Sequence, residues 1–167
     1  ICYSYMRKES QDLMLKNLNT KININCANII TPKQISTNCW FNTLFVSLFI
    51  SDKGRKFFRF FRTLMIIGIK ADGKPITPVS LHKSFFLLNM LIEASFNFNN
   101  TSKNVALLMD TNELIKSIGM AIKTGWSKQG IKTKQQPKIP KKGQWGNPLS
   151  YYKNIMNYLN DKSVILE

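Results

Sequence analysis

Histidine, acid and long apolar runs are what this sequence has least of. One histidine, His82, stands in 167 residues, and nine Asp and Glu face 24 Lys and Arg. The three cysteines, Cys2, Cys26 and Cys39, are odd in number, widely spaced and contain no CxxC pair. With a single imidazole to add, they do not make up the ligand set of a zinc site. Nor do they suggest a disulfide framework, so a reducing compartment inside the cell, cytoplasm or nucleus, is expected. No residue pattern calls for a cofactor. The greasiest stretches, residues 40–50 and 57–69, are short, and the second carries Arg59 and Arg62. A bilayer span needs about 20 apolar residues, so no membrane span is expected. Arg7, Lys8 and Glu9 are followed by a mixed segment rather than an apolar core, so no signal peptide is expected either. The chain opens on Ile1 rather than Met, which fits a piece of something longer.

What is present is a globular composition with an excess of positive charge. Hydrophobic residues make up 44% and aromatics 11%, enough for a packed core in a chain of this length. The net charge of +15 would attract nucleic acid, membrane surfaces or acidic proteins. The same charge also follows from a composition heavy in Asn, Ile and Lys, as an AT-rich genome produces. No RNP box or zinc finger accompanies it, so charge alone does not assign a nucleic-acid partner.

Few strand signals appear, and the expected class is mostly α. Residues 10–18 are amphipathic, with Leu13, Met14 and Leu18 at helical spacing. Ile22, Ile24 and Cys26 alternate with polar residues and read as a short strand or extended arm over 22–30. Thr31-Pro32 breaks it, and 33–38 is a polar approach to an apolar helix from about Cys39 to the stop at Ser51-Asp52-Lys53-Gly54. A second helix is expected over 55–69. Phe57, Phe58, Phe60, Phe61, Leu64 and Met65 would form its apolar face, with Arg55, Lys56, Arg59 and Arg62 as a basic outer face, either solvated or contacting an anion. Thr77 and Pro78 read as the cap and first position of a helix over 79–96. Residues 97–103 read as a polar loop, and 111–123 as a short helix with Glu113 in its first turn. Between 123 and 142, seven lysines occur without an acid, broken by Gly130, Pro137 and Pro140. This reads as a flexible basic loop, open to an anionic partner. The last helix runs over 148–160, burying Tyr151, Tyr152, Ile155, Met156 and Leu159. Four segments result: a helix and arm over 1–30, a helical core over 31–122, the basic loop over 123–143, and the final helix within 144–167.

Asn38-Cys39-Trp40-Phe41-Asn42-Thr43 is the stretch with chemical content. It puts a thiol in the first turn of a buried helix, where about half a positive charge resides and where cysteines act as nucleophiles. A free cysteine that only packs is the competing reading. A thiol hydrolase also needs a base, a group to orient it and oxyanion donors. Gln34 and the Cys39 amide are candidate donors, and Asn38 is either a further donor or a helix cap. His82, near the start of the 79–96 helix, is the one candidate base in the chain.

The run from Gln34 to Leu44 resembles the cysteine box of the ubiquitin-specific proteases, a papain-like family. There the nucleophile follows Gly-Asn-Thr and precedes an aromatic, a bulky apolar residue, Asn and a small residue. Trp40, Phe41, Asn42 and Thr43 match those four in order. Gln34 falls at the family's oxyanion position. Gly146-Asn147-Pro148-Leu149-Ser150-Tyr151-Tyr152, followed by Ile155, Met156 and Leu159, is similar to the family's next helix. Asn147 replaces its Asp, Ser150 replaces its Glu, Thr37-Asn38 inverts the Asn-Thr order, and the approach glycine is missing. Neither a histidine box nor zinc-binding fingers are present. Ovarian-tumour-type deubiquitinases also follow their cysteine with bulky apolar residues, but Asn42 favours the first family.

The resemblance implies the helical, thumb-like half of a papain-like α+β cysteine protease, with the nucleophile at a helix N-terminus. Cys39 would cleave isopeptide bonds of ubiquitin or a ubiquitin-like protein. The base would be a histidine from the remaining half of the domain or from a second chain. Trp40, Phe41 and Leu44 would anchor the helix in the core, and Asn42 would fix the helix or its loop by hydrogen bonding. The alternative is a non-catalytic, basic helical structural or interaction protein, such as a viral assembly component, acting in a host cell or virion.

Overall fold

The computed structural model describes residues 4–20, 26–96, 100–128, 130, 140 and 144–161, excepting the side chains of 100–103. Helices dominate, and the described residues hold no strand, only an isolated antiparallel bridge between Ile69 and Pro75. The mostly α expectation therefore holds. Of the strand or arm expected over 22–30, residues 22–25 lie outside the described part, and Cys26–Asn28 forms a 3-10 turn.

Helix α1 (Lys8–Asn19) lies against α4 (Arg59–Ile67), burying Leu18 with Ile66 and with Phe86 of α5 (Val79–Phe96). Leu13, expected on the buried side, faces solvent. Helix α2 (Cys39–Phe45) runs directly into a π-helical turn, Val46–Ile50, closed by the Ser51 amide donating 2.8 Å back to the Val46 carbonyl. The wider turn keeps Phe45, Phe49 and Ile50 all facing the core. Fully burying side chains of this size stabilises by about 1.5–3 kcal/mol each.

The helix expected over 55–69 is two helices. Ser51 accepts from the Gly54 amide and starts α3 (Asp52–Phe57), the chain turns at Phe58, and α4 follows until Gly68, at φ 76, ends it. The turn splits the phenylalanines. Phe58 and Phe61 pack on Tyr152, whereas Phe57 and Phe60 are 63% and 52% exposed. Arg62 is also corrected, because it lies in the core instead of on the outer basic face. Its Nε donates to Asn89 Oδ1 at 2.8 Å and its Nη2 to Glu93 Oε1 at 2.7 Å, both on α5. Burial loosens the guanidinium's hold on its proton, and Glu93 opposes this. With its hydrogen bonds supplied, the buried charge is tolerated.

Helix α5 is the centre of the molecule, flanked by α4, α6 (Asn100–Leu108) and α7 (Thr111–Lys128). It starts at Val79, one residue after a cis Thr77–Pro78 bond, and the Pro78 carbonyl accepts from Leu81 at 2.9 Å. Pro78 thus precedes the helix instead of opening it. Helix α6 occupies part of the stretch read as a polar loop, of which 97–99 lie outside the described residues. Helix α7 runs five residues further than expected, so Lys123 and Lys128 are helical. Most of the expected basic loop (129, 131–139 and 141–143), with its expected anionic contact, lies outside the described residues. Helix α8 (Pro148–Leu159) begins where the sequence indicates. Asn147 caps it by accepting from the Ser150 amide at 3.0 Å, proline opens it, and Asn160 ends it at φ 54.

Candidate functional site

Cys39 is the first residue of α2 and is half-buried, neither sealed in the core nor fully open. The chain reaches it through a loop that must reverse direction. Ser36 does so at φ 58, in the left-handed region that glycine enters without steric cost. It stands at the position of the approach glycine in the cysteine box described above.

A polar clamp holds this loop. The Asn38 side chain is fully buried; its Oδ1 accepts from the Ile35 amide at 2.9 Å, and its Nδ2 donates 2.7 Å to Thr111 Oγ1 and 3.4 Å to the Lys33 carbonyl. Thr111 donates in turn to Asn42 Oδ1 at 3.1 Å, and Asn42 Nδ2 reaches the Pro32 and Lys33 carbonyls at 3.4 Å each. Asn112 adds a 3.0 Å bond to the Ile35 carbonyl. The first two residues of α7 therefore tie the approach loop to the start of α2. Buried amides of this kind stay only where their hydrogen bonds are met.

The second segment of the resemblance closes over the first. Trp40 and Phe41 both meet the Tyr151 ring edge-on, with centroids 5.4 and 5.9 Å apart. Gly146 lies so close to the Trp40 indole that a Cβ there would run into the ring. Thr37 Oγ1 donates to the Gln144 carbonyl at 3.3 Å. Tyr151 is held by the Ile115 carbonyl at 2.9 Å, and burial pushes its phenol well above the ordinary value.

The sequence-nominated site residues fare differently. Asn38 does not cap α2 with its side chain, and its amide hydrogens are engaged in the clamp. Gln34 is exposed on the approach loop. His82 is buried on α5, its Nε2 3.1 Å from the Ile66 carbonyl, its ring against Tyr5 and over Gly68. Asn42 fixes helix to loop, and Trp40 and Phe41 are core anchors, with Leu44 partly buried against the same cluster. Thr111 and Asn112 went unnoticed in the sequence, where they read only as a helix start. Among the described residues, no group of His, Cys, Asp and Glu is placed to hold a metal. No family model, curated protein or solved structure matches this chain.

Proposed function

We propose that the chain is the nucleophile-bearing part of a thiol hydrolase of the ubiquitin-specific type. The observation that carries this reading is the placing of Cys39 as the first residue of a core helix, at the end of a loop clamped through Asn38, Thr111 and Asn42. Support also comes from the left-handed Ser36 at the approach-glycine position and from the packing of the 146–152 segment on Trp40. In the proposed reaction the Cys39 sulfur attacks an isopeptide carbonyl and forms a thioester, with the lysine amine leaving after taking a proton. Water then hydrolyses the thioester. The Cys39 amide, with Gln34 if its exposed side chain swings in, would hold the oxyanion. The proton carrier would be a histidine from the remaining half of the domain or a second chain.

A second reading has its own observation. The chain's one histidine is turned to the Ile66 carbonyl in a buried setting, and Asn38 is occupied in the clamp. Both suit a basic helical structural protein, such as a viral assembly component, with no chemistry at Cys39. Ubiquitin carrying a C-terminal electrophile separates the two. The hydrolase reading expects covalent labelling of the full-length gene product and none of a folded Cys39→Ala variant. Absence of labelling in a folded, full-length product sinks it and leaves the structural reading.

A further inference from the structure

Asn38 and Asn42 bracket Cys39 in the chain, and between their amides stands Thr111, the first residue of α7 and fully buried. Asn38 turns its Oδ1 to the Ile35 amide, which donates to it at 2.9 Å, and this leaves only Nδ2 to face Thr111. Asn42 turns its Nδ2 to the Pro32 and Lys33 carbonyls, which leaves only Oδ1 to face Thr111. The side chain between them must therefore accept on one side and donate on the other. A threonine hydroxyl does both, having one proton and two lone pairs. The result is a one-way relay of hydrogen bonds from the Ile35 amide through Asn38, Thr111 and Asn42 to the Pro32 and Lys33 carbonyls. It begins and ends on the loop that delivers Cys39. Reversing the hydroxyl would set donor against donor at Asn38 and acceptor against acceptor at Asn42. Turning both asparagines to match would move the same two conflicts to the loop. The relay therefore has one polarity, and buried bonds in such a series strengthen one another.

We propose that Thr111 is a positioning residue for Cys39: its hydroxyl fixes the polarity of the relay, and with it the course of the loop that sets the sulfur in place. The inference rests on the thiol hydrolase reading and adds to it a residue that acts only through Asn38 and Asn42. Valine is close to threonine in shape but has neither donor nor acceptor, so it cuts the relay in the middle. Asn38 Nδ2 then keeps only its 3.4 Å contact with the Lys33 carbonyl, and Asn42 Oδ1 keeps no donor among the described residues. Serine retains the hydroxyl and gives up one methyl group. A misplacement of about 1 Å at a reacting atom costs up to about 100-fold in rate, so a slack loop registers in the chemistry before it registers in the fold.

The test follows labelling of Cys39 in the full-length gene product by ubiquitin carrying a C-terminal electrophile, over a range of probe concentrations. Thr111→Val is expected to lower the maximal labelling rate about 10–100-fold and to leave the half-saturating concentration in place, because Thr111 acts on the sulfur's position and not on docking. Thr111→Ser is expected to recover most of the rate. Ser117→Ala, which removes a bond to Ser84 further along α7, is expected to label as the wild type does. No labelling of the folded wild type overturns the hydrolase reading, and the proposal falls with it. A labelled wild type beside an undiminished Thr111→Val overturns the proposal alone. So does a Thr111→Ser as slow as Thr111→Val, or a Ser117→Ala equally slow, since either reduces Thr111 to general stability. A loss confined to the half-saturating concentration overturns it in favour of a docking role. Should Thr111→Val fail to fold by circular dichroism, Asn42→Ala takes its place, at a half-buried residue where the relay leaves the clamp. Labelling of that variant at the wild-type rate overturns the proposal.

Discussion

Asn38 carries more of the candidate site than its neighbour the cysteine does. Its side chain reaches back to Ile35 and Lys33 and across to Thr111, so it sets where the backbone delivers Cys39. Asn38→Ala would strip the Ile35 amide and Thr111 of a partner in a buried place. Equilibrium unfolding in urea should show a loss of about 2–3 kcal/mol. Under the hydrolase reading, labelling of Cys39 by the ubiquitin electrophile should slow in the same variant while it is still folded. The residue types at this site were legible in the sequence, and the role of Asn42 with them. The use of Asn38 was not, because its decisive partner, Thr111, lies 73 residues away and shows locally only as the start of a helix. Arg62 was misread for the same reason. Spacing along one helix puts it outside, while Asn89 and Glu93, 27 and 31 residues on, make room for it inside.

At the scale of elements, what the sequence declared best was α8, where Asn147, Pro148 and the apolar spacing all agree with the observed helix. Cap, proline and stripe are local signals, and local signals suffice when nothing else competes. They failed at Phe58, where six apolar residues in nine masked a turn, and at α6, whose polar opening reads as a loop. The docking of α8 on α2 hinges on Gly146. Adding a methyl there forces the Trp40 indole to move within a packed contact with Tyr151. Gly146→Ala should therefore cost about 1–3 kcal/mol in thermal or urea unfolding. It should also shift the tryptophan emission of the folded protein, which a simple loss of loop flexibility would not do.

For the molecule as a whole, alkaline pH is the revealing stress. Burial holds the phenols of Tyr151 and Tyr152 above their ordinary value, and the nearby Asp161 adds to the effect at Tyr152. Below about pH 10 both states keep these protons, and the stability they contribute is intact. Above it the unfolded chain releases them while the folded one retains them, so stability falls as pH climbs toward the raised folded values. Lys70, drawn down by burial, acts in the opposite sense. Melting temperatures taken from about pH 8 to pH 11 should decline, and Tyr152→Phe should shrink the decline. That variant should cost little at neutral pH, since the Tyr152 hydroxyl is buried with no partner among the described residues. An unchanged pH profile in Tyr152→Phe would remove that phenol from the account.

The bond from Thr37 to the Gln144 carbonyl and the seat of Gly146 on Trp40 span more than a hundred residues of chain. A ribosome releases the thiol early and the strap that finishes its surroundings late. During synthesis, at about 5–20 residues per second, the sulfur is thus exposed for several seconds in an unfinished cradle. Whatever setting residues 144–152 give the thiol is therefore completed only once the chain 107 residues beyond Thr37 has been made.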